Sequence, residues 1–204
     1  MPARSLLPYA EAGNIGKMVS HRDGEGRINL FSLVSYIPDP LGSFIDGLRQ
    51  ELVPSCRLRA HVTVLPPRPI SVTIDEAYAQ LRSALRDVAP FEVQLRDVEI
   101  FGVSSVIYFG IVGGFSKLCR MHEILNVEGL HFQEPYSFHP HVTLAQQITP
   151  EQIPAVYELA RRRWAEYRGK RAFAVDSVTF VQGTEIGSWI DLAECPIRTP
   201  APTR

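Results

Sequence analysis

His61-Val62-Thr63-Val64 has a near copy eighty residues further on, His141-Val142-Thr143-Leu144, and the rest of the chain is read outward from this pair. In extended backbone, residues i and i+2 share a face. Each stretch therefore points a His and a Thr one way and two aliphatic side chains the other. One such tetrapeptide is ordinary half-buried alternation with its polar side toward water. Two are harder to dismiss. With six His and eight Thr in 204 residues, a pair of His-apolar-Thr-apolar matches arises on the order of once in a thousand shuffles at this composition.

Upstream of the first motif, residues 28–36 are rich in β-branched and aromatic side chains and predict a strand. Leu41, Phe44, Ile45, Leu48 and Leu52 then fall at helical spacing. The motif strand covers residues 59–65 and is expected to stop at Pro66-Pro67. Thr73-Ile74-Asp75-Glu76 is a capping box that starts a second helix. Residues 91–101 and 106–112 read as strands joined through Gly102. The second half repeats the order: a helix marked by Phe115, Leu118, Cys119, His122 and Leu125, a strand at 141–145, and a helix after Thr149-Pro150-Glu151-Gln152. That helix is read with Pro150 at its first position and Ile153, Val156, Tyr157, Ala160, Trp164 and Tyr167 facing inward. Strands at 172–181 and 188–193 close the chain. Corresponding elements start at 29 and 106, 42 and 115, 61 and 141, 74 and 150, and 92 and 173, so strand-helix-strand-helix-strand occurs twice.

The expected fold is α+β: a bilobal duplicated fold, two antiparallel sheets lining a central cleft with helices on the outside. Residues 1–27 read as an irregular N-terminal arm, 28–194 as a single domain of two pseudo-symmetric lobes, and 195–204, with three prolines, as a C-terminal tail. The composition is that of a globular protein, 45% apolar and 21% charged, and the length is enough for one sizeable core. No run of 18 apolar residues is present, which argues against a membrane span. Pro8 and Glu11 interrupt any early apolar stretch of signal-peptide length. Cys56, Cys119 and Cys195 are too few and too scattered for a disulfide frame, which points to a reducing cytoplasm. The net charge of −1 excludes a protein that coats nucleic acid by neutralising many phosphates.

If the repeats face each other, two imidazoles and two hydroxyls converge. Histidines near neutral pKa can act as general base and general acid on opposite sides of one displacement. Threonine hydroxyls can donate to two non-bridging phosphoryl oxygens. That set suits in-line opening of a phosphodiester, needs no metal or other cofactor, and assigns His61 and His141 as catalytic and Thr63 and Thr143 as phosphate-binding. Two other uses stay open. One is a non-catalytic module that binds a nucleotide or RNA end. The other is a metallohydrolase with His61, His139 and His141 as ligands.

With these residues in view, the chain resembles the 2H phosphoesterase superfamily, which contains the 2′-5′ RNA ligase-like and RNA 2′,3′-cyclic phosphodiesterase proteins. The resemblance spans about residues 28–194. It is strongest in Phe138-His139-Pro140-His141-Val142-Thr143-Leu144-Ala145. It implies a metal-independent cyclic phosphodiesterase, accompanied by reversible 2′-5′ RNA ligation, acting on an RNA 3′ end or a small nucleotide with a cyclic phosphate. No membrane is expected as a partner, and the chain is expected to work as a monomer. After the first motif the sequence departs from the family pattern with Leu65-Pro66-Pro67-Arg68-Pro69, and Gln146 follows the second motif's Leu-Ala.

Further candidates lie close by. Arg59 and His139 each precede a motif His by two residues, so both share its strand face and are candidate substrate-binding residues. Tyr136 and Phe138 are candidates to stack on a base. The basic run Arg161, Arg162, Arg163, Arg168, Lys170 and Arg171 reads as a solvated helix face whose cations suit a helix C-terminus. His21, His122 and His131 are assigned structural roles.

Overall fold

The computed structural model describes residues 26–198. Most of the expected arm and the end of the expected tail lie outside the described residues. The elements in order are β1 (Arg27–Tyr36), α1 (Leu41–Leu52), β2 (His61–Arg68), α2 (Ile74–Ala84), β3 (Phe91–Ile100), β4 (Ile107–Gly113), α3 (Phe115–Leu125), β5 (Val142–Ala145), α4 (Ile153–Glu166), β6 (Ala172–Val175), β7 (Ser177–Thr184) and β8 (Trp189–Pro196). The strands form two four-stranded sheets, β2-β1-β7-β8 and β5-β4-β3-β6, and every pairing is antiparallel. This is the α+β architecture expected from the sequence.

The two halves exchange their third strands. β3, from the first half, pairs with β4, whereas β7, from the second half, pairs with β1. The strand read as residues 172–181 accordingly divides at Asp176. β6 stays on the second sheet beside β3, and β7 crosses to the first. β8 then runs on to Pro196, and Ile197 is buried with its amide donating to the Asp176 carbonyl at 2.7 Å, so the ordered chain continues into the stretch read as tail.

Two element boundaries differ from the sequence reading, each for a local reason. β2 does not stop at Pro66-Pro67 but continues to Arg68, with the register slipping between the Leu33–Leu65 and Phe31–Arg68 pairs. β2 is an edge strand, where a missing N–H and a bulge are tolerated. α4 starts at Ile153, three residues later than expected. The Gln152 side chain reaches back to the Thr149 amide at 3.0 Å and closes a separate turn. Pro154, not Pro150, then occupies the first helical turn, where its lack of an N–H costs nothing. The Thr73–Glu76 capping box of α2 forms as read.

The core lies between sheets and helices. α1 packs against β5 and α3 against β2, so each helix reaches across to the motif strand of the other half. The aliphatic residues of the motifs point into this core: Val62, Val64 and Val142 are fully buried and Leu144 is 1% exposed. Burial of each such side chain contributes about 1.5–3 kcal/mol, which fixes strand register, because a slip of one residue would bring His and Thr inside.

Candidate active site

β2 and β5 are the edge strands of their sheets, and they run next to each other. The seam between the sheets therefore carries both motifs. His61 opens β2, opposite Tyr36 of β1, and Thr63 lies opposite Val34. His141 directly precedes β5, where Thr143 lies opposite Tyr108 of β4. The same residue types thus occupy the same places on two equivalent edges.

The two imidazoles are held identically. His61 Nδ1 is 2.6 Å from the carbonyl oxygen of Arg59, and His141 Nδ1 is 2.7 Å from that of His139. A carbonyl only accepts, so Nδ1 carries the hydrogen in both rings and the lone pair of the neutral form sits on Nε2. The residues two before each His therefore act through their backbones. The hydroxyls of Thr63 and Thr143, both half-buried, are engaged by no other group among the described residues.

Both rings resist protonation. Burial pushes the His61 pKa down to about 3, helped by the Arg49 guanidinium and by the charge of His141 and opposed by its bond to Arg59. Burial likewise lowers His141, with His139 adding to the effect and the backbone bond opposing it. A positive charge on His141 thus acts in the same direction as burial, against protonation of His61.

Around His61 the first sheet curls. β8 is three strands away from β2, which is about 14 Å in a flat sheet, yet the Trp189 ring lies 4.7 Å from the His61 ring. Asp191, also on β8, accepts the Tyr36 hydroxyl at 2.5 Å and stands 3.5 Å from the Arg59 guanidinium, which itself lies 3.9 Å from the Tyr36 ring. Burial and the Asp191 bond raise the Tyr36 pKa. Around His141 the wall is aromatic: Phe101 at 5.0 Å and Tyr108 at 5.2 Å, the latter donating to Glu99 and pushed up to about 12 by burial and that bond. Both tyrosines are therefore neutral donors and not bases.

The remaining candidates are distributed unevenly. Exposed His139 has its ring against Phe101 and Phe115. Phe138 stacks on His122, at 4.0 Å and 7° between planes, so its ring is already occupied. Tyr136 is 68% exposed and stands away from these contacts. The basic run is largely consumed by structure: Arg163 binds Glu51 and Glu166, Lys170 binds Glu92, and Arg171 donates to the Trp164 carbonyl. Among the described residues no three His, Cys, Asp or Glu side chains gather as a metal centre requires, and no helix is long and apolar enough to cross a membrane. A 740 Å³ groove lined by Tyr78, Arg82, Arg86, Cys195 and Arg198 includes none of the motif residues.

Sequence reasoning missed Trp189, Tyr36, Asp191 and Arg49. For the first three no local signal exists, because only the curl of the sheet brings β8 to β2. Arg49 left one: a charged residue inside the apolar stripe Ile45, Leu48, Leu52.

Comparison with known proteins agrees with this geometry. A protein of Halalkalibacterium halodurans named as a phosphoesterase is 27% identical over 154 residues, covering 69% of this chain and 85% of that one. Escherichia coli LigT in its apo form superposes with a TM-score of 0.57 at 16% identity over 84% of this chain and 98% of its own. Usb1 of Kluyveromyces marxianus does so with a TM-score of 0.52 at 14% identity over 82% and 98%. At such identities these two structures report on the fold. The model of the 2′-5′ RNA ligase superfamily matches residues 37–185, a span that contains both motifs, and the chain belongs to that superfamily.

Proposed function

We propose that the chain opens 2′,3′-cyclic phosphodiesters at RNA 3′ ends or on nucleotides, leaving a monoester, by paired histidine acid–base catalysis without a metal. The observation that carries this reading is the matched pair of Nδ1–carbonyl bonds, which leaves an Nε2 on each edge strand for proton transfer. One imidazole takes the proton from water as its oxygen adds to phosphorus, and the other gives a proton to the departing ribose oxygen. Thr63 and Thr143 donate to the non-bridging oxygens, whose charge grows in the transition state. With a 5′ hydroxyl in place of water as the nucleophile, the same machinery joins two ends: the 5′ oxygen bonds to phosphorus, the 3′ oxygen departs with a proton, and a 2′-5′ phosphodiester remains.

A nucleotide ligand is supported by Escherichia coli LigT, whose solved structures include complexes with phosphate, 3′-AMP and ATP. The chain works as a monomer in a reducing cytoplasm, where its three free cysteines stay reduced.

The test is turnover of 2′,3′-cyclic nucleotides and of RNA ending in a cyclic phosphate, measured in EDTA. Activity should persist in chelator and fall about 10²–10⁴-fold in His61→Ala and His141→Ala, with affinity for a 3′-nucleotide retained. Binding without any turnover across the panel would make the chain a recognition module. Loss on chelation that zinc restores would make it a metallohydrolase.

A further inference from the structure

α2 and the end of β8 face each other across a groove of 740 Å³ that holds Tyr78, Arg82, Arg86, Cys195 and Arg198. Tyr78, Arg82 and Arg86 follow at four-residue steps along α2 and the short 3-10 turn after it. That spacing keeps side chains on one face, with Cβ atoms about 5–6 Å apart. Arg198 comes from the opposite wall, just past β8. The floor is apolar, with Leu85 4% and Cys195 2% exposed. Burial pushes the Cys195 thiol up to about 11 against the opposing pull of the Arg82 guanidinium, so the thiol adds no negative charge.

The three arginines are exposed, and among the described residues none has a carboxylate within 4 Å. Arg82 lies 5.8 Å from the Tyr78 ring. No Asp or Glu lines the groove, and its hydroxyls, on Tyr78 and Ser83, can donate. Asp87 lines a neighbouring depression instead, and Glu194 takes the other face of β8 by strand alternation. Two other grooves also hold arginines, but together with neutralising partners. Glu158 binds Arg161 in one, where Asp97 stands beside Arg162, and Glu51 and Glu166 both bind Arg163 in the other. The α2–β8 groove is thus a concave concentration of one sign of charge, which focuses the field on an entering anion.

The shape selects the kind of anion. A flat membrane surface cannot reach cations on two facing walls, whereas a strand lying in the groove meets all three. Guanidinium groups along a groove with an aromatic ring among them suit the backbone of a single-stranded nucleic acid. Three such contacts are few enough for a chain whose net charge is −1. β8 also links the groove to the seam. Trp189 at its start lies against His61, and Cys195 is six residues further on, about 20 Å in extended backbone.

We propose that the α2–β8 groove binds the phosphate backbone of single-stranded RNA upstream of the 3′ end held in the seam, so that the chain prefers an oligonucleotide to a mononucleotide. That the strand is RNA with its end in the seam rests on the function proposed above. The anion-binding character of the groove does not.

The experiment joins two measurements. One is fluorescence anisotropy of a 5′-labelled single-stranded RNA of about 12 nucleotides ending in a 3′ phosphate. The other is steady-state kinetics on the same RNA ending in a 2′,3′-cyclic phosphate and on a 2′,3′-cyclic mononucleotide. Three phosphate contacts contribute about −2 to the slope of log K against log salt, a loss of about 20-fold between roughly 50 and 200 mM. In the triple variant Arg82→Gln, Arg86→Gln, Arg198→Gln the slope should shrink by that amount. KM for the cyclic RNA should rise about tenfold, while kcat and KM for the mononucleotide stay as they were. Lys at the same three positions should keep the slope. The matched loss of charge in Arg161→Gln, Arg162→Gln, Arg168→Gln should leave RNA affinity within about twofold.

An unchanged slope and KM in the groove variant would overturn the proposal, as would a mononucleotide that suffers as much as the RNA. Polyglutamate or vesicles of anionic lipid displacing the RNA at equal charge concentration would also overturn it, and would assign the groove to an acidic protein or a membrane. If no cyclic phosphate is opened while the 3′-phosphate RNA still binds through the three arginines, the reading of the seam falls and the groove stands. If the cyclic RNA is opened with equal KM in the unaltered chain and the groove variant, the seam stands and the groove falls.

Discussion

The Trp189 indole and the His61 imidazole lie with their centroids 4.7 Å apart, joining the outermost strand of the first sheet to the first motif. The other tryptophan, Trp164, is 3% exposed on α4 and packs on Phe109. A 3′-nucleotide entering the seam should therefore change indole emission through Trp189 alone. Fluorescence titration of Trp189→Phe should lose the ligand-dependent signal. If the signal survives in that variant, ligand binds elsewhere.

Thr63 and Thr143 are expected to act on the transition state more than on ground-state binding. Replacing either by Val keeps volume and strand propensity but removes the donor, so kcat should fall about 10²–10³-fold. KM should move much less. Steady-state kinetics that showed a raised KM at constant kcat would assign these hydroxyls to simple binding.

Stability should decline with acid partly through His61. Its folded pKa, about 3, is below the ordinary value of 6.5, so between these values the unfolded chain binds more protons than the folded one. The free energy of unfolding then falls as pH drops through that window, by up to roughly 4–5 kcal/mol from this group at the low end. Urea melts from pH 7 to pH 4 should show a steeper decline for the native sequence than for His61→Gln. Parallel curves would mean that His61 titrates normally in the folded state.

Arg68 and Glu134 form an ion pair whose side chains are 1% and 9% exposed. Arg68 also donates to Asn126 and to the Leu130 carbonyl, tying the end of β2 to the segment that leads into the second motif. Arg68→Met leaves Glu134 buried without its charge partner and should destabilise the fold by about 3–5 kcal/mol. Denaturant unfolding checks this, and a change under 1 kcal/mol would show that Glu134 finds water or neutralises itself.

The motif strands were legible because alternation leaves a direct trace: apolar Val62 and Val64 inside, polar His61 and Thr63 on the other face. Helices α1 and α2 were legible for the same kind of reason, one by apolar spacing and the other by the Thr73–Glu76 box. Strand partnership was not legible. Nothing within residues 91–100 or 177–184 records that the two segments trade sheets, because pairing is decided by neighbours far along the chain. Pro66 and Pro67 misled because their meaning depends on whether β2 is an edge or a centre strand. The equality of the two His-x-Thr motifs, plain in the sequence, concealed the difference that a single buried arginine makes behind one of them.

The exchange of third strands also sets an order of assembly. β3 and β4 meet across a short turn, so this hairpin of the second sheet can form soon after its residues leave the ribosome. The first sheet needs Val34 to find Thr179 and Phe31 to find Gln182, contacts across some 150 residues that form only once β7 has been synthesised. The corner that holds His61, Trp189 and Asp191 is therefore completed only when β7 and β8 are in place, and a nascent chain that lacks them cannot present the first motif in its finished setting.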